Sequence, residues 1–219
     1  MIAAELISDI VSPVKTSDKG EEVLTMMNLF HLRHLPIVNN EELLGVISED
    51  DILSQDIDAP VGSYALSMRR PFADMHTNIM EIMNIMAEYG VTSVPVVDKS
   101  NVYKGMVLQQ DILIYFSKSA TFHQPGSVII IEMARQDYSL VEIAQLVELE
   151  NAAIIGFFIY EHRNPNSIRV ILKINSPLLE RIIAALERYN YIVEASFSEN
   201  NFNDSLQDRY DSLMKYLNV

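Results

Sequence analysis

The chain has 219 residues, of which 49% are hydrophobic, and it carries a formal net charge of −14. This length and composition suit a globular protein with one large domain or two modest ones. The negative charge argues against nucleic acid as a partner, because phosphates would be repelled and no basic run is longer than Arg69–Arg70. The absence of cysteine excludes disulfides, thiol catalysis and thiolate metal sites.

The N-terminal sequence and the apolar runs predict a cytoplasmic protein with no membrane segment. Met1–Glu5 lacks a basic region before an apolar run, so it is not typical of a signal peptide. The longest apolar run, Ala152–Tyr160, is far shorter than the ~20 residues that a membrane-spanning helix needs.

Two segments in the first half of the chain are versions of each other. Gly20–Leu53 is repeated near Glu81–Leu113, with one residue inserted in the second copy between Asp98 and Lys104. Repeats this short rarely bury a core alone. We therefore expect the two copies to pack together and to leave clefts between them.

Each copy is predicted to fold as helix, strand, turn, strand and helix. A capping pair, Asp18 with Glu21, marks the first helix, and Thr77 precedes the second. Short buried strands that contain proline follow, and then polar turns and strands led by glycine. The residues between the copies, Gln55–Arg70, are predicted to form a connector.

The pattern changes after His123–Gly126, where we expect a domain boundary. The remainder predicts the order βαββαβ, which is the split βαβ arrangement. In it, Ser139 with Glu142 caps the first helix and Pro177 leads the second. A tail at Asp204–Leu217 has apolar residues at helical spacing, which predicts an amphipathic helix.

With these motifs in place, positions 1–124 resemble a tandem pair of CBS domains, with copies at about 1–58 and 68–120. Positions 127–198 resemble an ACT domain in element order, and 199–219 would form the C-terminal helix. The combination is similar to the acetoin-utilisation B family of bacterial proteins. The implied fold is α/β (α+β), a CBS pair followed by a ferredoxin-like ACT-type domain.

The resemblance implies a binding site for an adenine nucleotide (AMP, ADP or ATP). In CBS domains a small hydroxyl residue and an aspartate three positions later hold the phosphate side and the ribose. Ser48 and Asp51 match this pattern in the first copy, and the helix start at Ser48 favours a phosphate. The second copy keeps Asp111 but has Leu108 in place of the hydroxyl, which weakens the case for a second equivalent site.

The same resemblance places residues that precede the proline-containing strands in the cleft. Arg33 would face the phosphate side of the Asp51 site, His34 would add a second donor, and Thr92 would approach from the other copy. Arg33 is charged at all relevant pH and offers a planar fork of donors.

Each of these residues also has a purely structural interpretation. Ser48 and Asp51 have the spacing of a helix cap, and Arg33 and His34 fit an exposed edge before a strand. His31 and His34 stand three apart, but no third metal ligand has sensible spacing, so no metal site is predicted.

No catalytic motif is present, because the glycines are scattered and no P-loop, nucleophile elbow or His-Glu-x-x-His helix occurs. The sequence therefore predicts a non-catalytic regulatory protein that needs no cofactor, forms a homodimer or higher homo-oligomer and acts on an unknown protein target. The alternatives are a ligand-free assembly module and an amino-acid sensor in the ACT-like domain. Ala134–Ser139 lacks the glycine that is typical of amino-acid-binding ACT domains, which argues against the amino-acid sensor.

Overall fold

A computed structural model describes residues 1–64 and 71–198. The chain divides into two compact units, one from Met1 to Phe116 and one that begins at Ser117. The predicted tail helix at Asp204–Leu217 and the basic pair Arg69–Arg70 lie outside the described residues.

The first unit contains the predicted arrangement twice. The first copy consists of α1 (Gly20–Phe30), β1 (His34–Asn39), β2 (Glu42–Ser48) and α2 (Glu49–Leu53). The second consists of β3 (Ala73–Asp74), α3 (Ile79–Tyr89), β4 (Ser93–Val97), β5 (Tyr103–Leu108) and α4 (Gln109–Ser117). The predicted order of helix, strand, turn, strand and helix is confirmed in both.

The two hairpins differ in the turn that absorbs the inserted residue. Strands β1 and β2 are joined by Asn40 and Glu41, which both have positive φ, 47° and 70°, as a tight turn matched to strand twist requires. The longer turn between β4 and β5 is held by Asp98, whose Oδ1 accepts from the N–H of Ser100 at 2.8 Å and of Val102 at 3.0 Å.

The capping predictions for the two repeat helices are each wrong by one residue. Helix α1 has Lys19 at its N-cap, and the Glu22 carboxylate accepts from the Lys19 N–H at 3.1 Å, while Asp18 accepts from Lys15 instead. At α3 the cap is Asn78, whose side chain accepts from the Glu81 N–H at 3.1 Å. Thr77 accepts from the Asp74 N–H, so its hydroxyl stabilises the preceding turn.

Both repeat helices end in a residue with left-handed backbone geometry. That residue is His31 after α1, with φ of 55°, and Gly90 after α3, with φ of 65°. The conformation closes the last helical turn and costs a residue with a Cβ more than it costs glycine. The two helices therefore end in the same backbone conformation, which is less favourable for His31 than for Gly90.

The cores of the two repeats interpenetrate. The cluster around α1, β1 and β2 also contains Met106 and Leu108 from β5 of the second copy. The cluster around α3, β4 and β5 contains Val46 from the first copy and Ala3 from the N-terminal segment. Neither repeat has a core of its own, as expected of short repeats that pack together.

The second unit is a four-stranded antiparallel sheet with the order β7-β8-β6-β9. Its elements are α5 (Ala120–His123), β6 (Ser127–Ala134), α6 (Leu140–Leu149), β7 (Ile154–Glu161), β8 (Ser167–Ile174), α7 (Glu180–Arg188) and β9 (Ile192–Phe197). Buried and partly buried residues alternate along β6 and β8, so one face of the sheet lies in the core. The predicted ferredoxin-like fold class is confirmed.

One of the two predicted helix starts in this unit is confirmed. The Ser139 hydroxyl accepts from the Glu142 N–H at 3.3 Å at the start of α6. Helix α7 begins at Glu180 rather than at Pro177. The cause is a local turn in which the Leu178 N–H donates to the Ser176 hydroxyl at 3.2 Å, which delays the first helical turn.

Candidate ligand site in the first unit

A cavity of about 260 Å³ lies in the first unit and has walls from both repeats. It is slightly smaller than the roughly 300–1,000 Å³ of sites that enclose a whole drug-sized molecule. Its lining combines apolar, aromatic, hydroxyl and carboxylate groups, namely His34, Val46, Ser48, Asp51, Pro71, Tyr89 and Val91. Three of the predicted site residues, His34, Ser48 and Asp51, are thus brought together.

Ser48 and Asp51 form a reciprocal helix cap at the start of α2. The Asp51 N–H donates to the Ser48 hydroxyl oxygen at 3.1 Å, and Asp51 Oδ2 accepts from the Ser48 N–H at 2.9 Å. The Ser48 hydroxyl donates to the same Oδ2 at 2.7 Å. The capping interpretation is confirmed, and it engages one carboxylate oxygen. In the described part of the chain, no protein donor reaches the other oxygen, Oδ1.

The start of α2 offers less to a phosphate than the sequence suggested. The Glu49 N–H donates to the Arg33 carbonyl at 2.9 Å, and the Asp51 N–H is taken by the cap. Three consecutive carboxylates, Glu49, Asp50 and Asp51, also occupy the first turn. They complement the helix dipole but repel a phosphate.

Arg33 lies beside these carboxylates and does not line the cavity. Its Nε contacts Glu49 at 3.2 Å and its Nη2 contacts Asp50 at 3.5 Å, and the side chain is 61% exposed. The guanidinium charge is therefore already shared with two acids. Its predicted position on the phosphate side of a ligand stays a prediction.

Thr92 connects the two repeats and also lies off the cavity wall. Its hydroxyl oxygen accepts from the Arg33 N–H at 3.1 Å, and its own N–H donates to His34 Nδ1 at 3.3 Å. Beside it, the Ser93 hydroxyl donates to the His34 carbonyl at 2.8 Å. Thr92 thus contacts the cavity through His34, whose ring it positions.

The contacts with Thr92 define the tautomer of the His34 ring. Nδ1 accepts from the Thr92 N–H and lies 3.3 Å from the Thr92 hydroxyl, so the neutral ring carries its proton on Nε2. Burial, reinforced by the charge of Arg33, lowers the pKa of His34. A neutral imidazole with a fixed Nε2 donor therefore borders the cavity.

The corresponding cleft of the second copy is filled by side chains. Met106 and Leu108 stand where Val46 and Ser48 line the first cavity, and both are completely buried. The buried Oδ2 of Asp111 has no hydrogen-bond partner among residues 1–64 and 71–198, and burial raises the pKa of its carboxyl. The two copies therefore differ in the size and polarity of the side chains at these positions.

Sequence reasoning missed the residues that the second repeat contributes to the cavity, Pro71, Tyr89 and Val91. Alignment of the two repeats could have predicted two of these residues. Tyr89 is the last residue of α3 and Val91 lies two positions beyond it, as Phe30 and Leu32 do at the end of α1. Residues at a pseudo-twofold interface occur in such pairs.

Within residues 1–64 and 71–198, no group of three His, Asp or Glu side chains is arranged to hold a metal ion. In the same ranges, no helix is both long and apolar enough to cross a bilayer.

Curated relatives match about half of the chain. An uncharacterized protein of Methanocaldococcus jannaschii is 25% identical over 112 residues, which cover 50% of this chain and 42% of that protein. Inosine-5′-monophosphate dehydrogenase of Aquifex aeolicus is 26% identical over 110 residues, which cover 48% and 22%. The chain thus spans less than half of the length of these relatives.

Similar solved structures include a CBS domain pair/ACT domain protein from Thermotoga maritima, with 23% identity and a TM-score of 0.48 over 53% of this chain and 96% of that one. CBSX2 in complex with AMP has 18% identity and a TM-score of 0.46, covering 52% and 95%. A CBS pair in complex with 5′-methylthioadenosine and S-adenosyl-L-methionine has 24% identity and a TM-score of 0.43, covering 53% and 96%.

The family model of the CBS domain matches residues 3–58 and 61–118, two consecutive segments that make up just over half of the chain. The two matches agree with the internal repeat and with the duplicated arrangement of helices and strands. The chain therefore belongs to the CBS domain family and carries the domain as a tandem pair.

Proposed function

We propose that the CBS pair binds an adenine nucleotide in the cavity beside Asp51. The observation that carries this proposal is a carboxylate, in a cavity walled by both repeats, with one oxygen that no donor of the described residues reaches. A ribose presents two adjacent hydroxyl donors, and an ionised carboxylate is purely an acceptor. Val46, Val91 and the Tyr89 ring provide apolar surface for a base.

The charges near the cavity favour a nucleotide with few phosphates. Glu49 and Asp50 already share the Arg33 guanidinium, and the engaged N–H groups of α2 leave little to stabilise added negative charge. Each further phosphate adds repulsion from this turn. We therefore expect AMP to bind more tightly than ADP, and ADP more tightly than ATP.

Binding would act as a signal through the contact between the repeats. The ring of His34 borders the cavity and is held by Thr92 of the other copy, so a ligand that moves the ring alters this contact. A ligand shifts such an equilibrium only by its difference in affinity for the two states. We propose a non-catalytic regulator that acts on a protein target in the cytoplasm as a homodimer or higher homo-oligomer, similar to the acetoin-utilisation B proteins.

The test is thermal unfolding of the whole chain with AMP, ADP and ATP. A ligand at about 100 times its dissociation constant adds roughly 2.7 kcal/mol to the free energy of unfolding. Asp51→Asn retains an acceptor for the cap but lacks the charge, and it should weaken AMP at least about tenfold. Asp111→Asn is the matched control and should leave AMP affinity unchanged. Failure of every nucleotide to stabilise the wild type would overturn the proposal.

A ligand-free assembly module is the second candidate, and the filled second cleft favours it. Met106 and Leu108 use that cleft for packing, which stabilises the pair without a ligand. Light scattering on the whole chain and on a version ending at Asn203 would measure the subunit number. An oligomer that ignores all nucleotides would support this candidate, whereas stabilisation by one amino acid would point to a sensor in the second unit.

A further inference from the structure

The second unit contains a cavity of about 430 Å³ that shares no lining residue with the cavity beside Asp51. It lies between the end of α5 with the segment that follows and the strands β6, β8 and β9. Its volume falls within the roughly 300–1,000 Å³ of small-molecule sites. The lining includes apolar side chains, Phe122, Val128 and Phe197, and two basic ones, His123 and Lys173.

Lys173 has unusual surroundings for a cation in this protein. Among the lysines and arginines that the structure describes, only Lys173 and Arg169 are partly shielded from solvent, and the rest are exposed. Arg169 is neutralised by Glu194 at 2.6 Å. The Lys173 ammonium donates to the Gly126 carbonyl at 3.0 Å, and no carboxylate of the described residues pairs with it.

This ammonium has capacity for an anion. It carries three donors, of which the Gly126 carbonyl takes one. Partial removal from water makes a missing counter-charge costly. An anion at Lys173 would therefore be bound more strongly than one beside an exposed lysine.

The carbonyl that orients Lys173 is itself held in place by close packing. Gly126 has a φ of 151°, and a Cβ at this position would collide with the Ile174 carbonyl oxygen. Only glycine allows the segment to lie this close to β8. The cavity floor is therefore defined by the backbone rather than by a mobile side chain.

The other walls suggest an apolar ligand body. Phe122 and Phe197 border the cavity and are 56% and 59% exposed, so a hydrophobic group placed between them would be removed from water. Among the described residues, no aspartate or glutamate lines the cavity, so none of their carboxylates would pair there with a ligand ammonium. This composition disfavours an amino acid and favours a simple carboxylate.

We infer that this cavity binds a small monocarboxylate with an aromatic or branched apolar body, its carboxylate on Lys173 and its body between Phe122 and Phe197. The site lies wholly within the second unit. It differs from an amino-acid sensor in the class of ligand, because it requires a negative charge and rejects a positive one.

The experiment is calorimetric titration of the full chain with phenylacetate, phenylacetamide, acetate and phenylalanine. Phenylacetate should bind at least about tenfold more tightly than each of the others, which lack the charge, lack the apolar body or add an ammonium. Equal binding of phenylacetamide would show that the charge is not recognised. Equal binding of acetate would indicate a surface ion only. Either result, or no binding of phenylacetate, overturns the inference.

Substitutions then locate the site. Lys173→Gln should weaken phenylacetate about tenfold, and Phe197→Ala should weaken it while leaving acetate unchanged. Lys118→Gln, at an exposed lysine outside the cavity, is the matched control and should have no effect. Circular dichroism would confirm that each variant is folded. If Lys173→Gln fails to fold, the Phe197→Ala variant and the comparison of ligands on the wild type still test the inference. A folded Lys173→Gln variant that binds like the wild type would overturn the assignment.

Discussion

The backbone N–H of Thr92 donates to Nδ1 of His34 at 3.3 Å, so a residue of the second repeat fixes the ring of a residue in the first. The same ring also lines the candidate ligand cavity. Ligand contact and contact between the repeats therefore meet at one side chain.

The first prediction concerns the effect of pH on this contact. Burial and the nearby Arg33 lower the pKa of His34 below its ordinary value of 6.5, although Asp51 and Asp50 oppose the shift. The unfolded chain then takes up the proton first as the pH falls. Stability from the neutral ring is thus present above about pH 6.5 and is lost as the pH drops towards the lowered pKa.

Urea unfolding between about pH 5 and pH 7.5 measures this loss. His34→Gln should reduce the slope of stability against pH. His76→Gln, at an exposed histidine of the same unit, should leave the slope as it is in the wild type. Identical slopes in the wild type and His34→Gln would contradict the assignment.

The second prediction concerns the filled cleft. Leu108 is completely buried, so Leu108→Ala should lower the free energy of unfolding by about 2–5 kcal/mol through lost burial and a residual cavity. Leu53→Ala removes a leucine that is 60% exposed and should cost less than about 0.5 kcal/mol. Chemical denaturation gives both values, and similar costs would show that the second cleft is not packed as described.

The third prediction concerns selectivity among nucleotides. Replacing Glu49 and Asp50 by Gln and Asn removes two negative charges and releases Arg33. ATP affinity should rise by about three- to tenfold, and AMP affinity should rise less. Titrations at low and high salt test the cause, because salt should reduce the difference between variant and wild type. An equal change for both nucleotides would exclude a role in selectivity.

The fourth prediction uses the two helix endings. Because His31 has left-handed geometry, His31→Gly should raise the free energy of unfolding by roughly 0.5–1 kcal/mol. Gly90→Ala should lower it by a similar amount, since a Cβ there meets no atom within 4 Å and only the backbone is strained. Thermal or urea unfolding measures both, and a loss of stability in His31→Gly would mean that the imidazole makes a contribution of its own.

The fifth prediction concerns the second unit at high pH. The Tyr191 hydroxyl donates to Glu142 at 2.8 Å, and burial with this carboxylate raises the pKa of Tyr191 to about 12. The unfolded chain loses the proton near its ordinary value of 10.0, so stability should fall as the pH rises from about 10 to about 12. Tyr191→Phe should remove this part of the decline, which unfolding curves across that range would reveal.

Much of the fold could be predicted because the signals are local and repeated. The paired proline-containing strands and glycine-led strands fix each hairpin, and Ser139 with Glu142 fixes the start of α6. The missed caps show the limit of such patterns. Lys19 has no capping side chain, and Asn78 follows another suitable residue, Thr77, so spacing alone could not choose between neighbours.

The site was harder to predict because it depends on contacts between distant parts of the chain. Ser48 and Asp51 are recognisable from spacing, whereas Tyr89 and Val91 enter the cavity only through the packing of the two repeats. The sequence also gave no indication that Arg33 would be held by Glu49 and Asp50. That outcome depends on side-chain geometry across sixteen positions of the chain.

The filled second cleft bears on the shape of any dose response. If each CBS pair binds nucleotide only in the cavity beside Asp51, occupancy within one chain rises hyperbolically with ligand concentration. A sigmoidal response would require coupling between chains, since cooperativity needs at least two interacting sites. Met106 and Leu108 would thus give the individual chain a hyperbolic dose response, and a steeper response would require assembly into an oligomer.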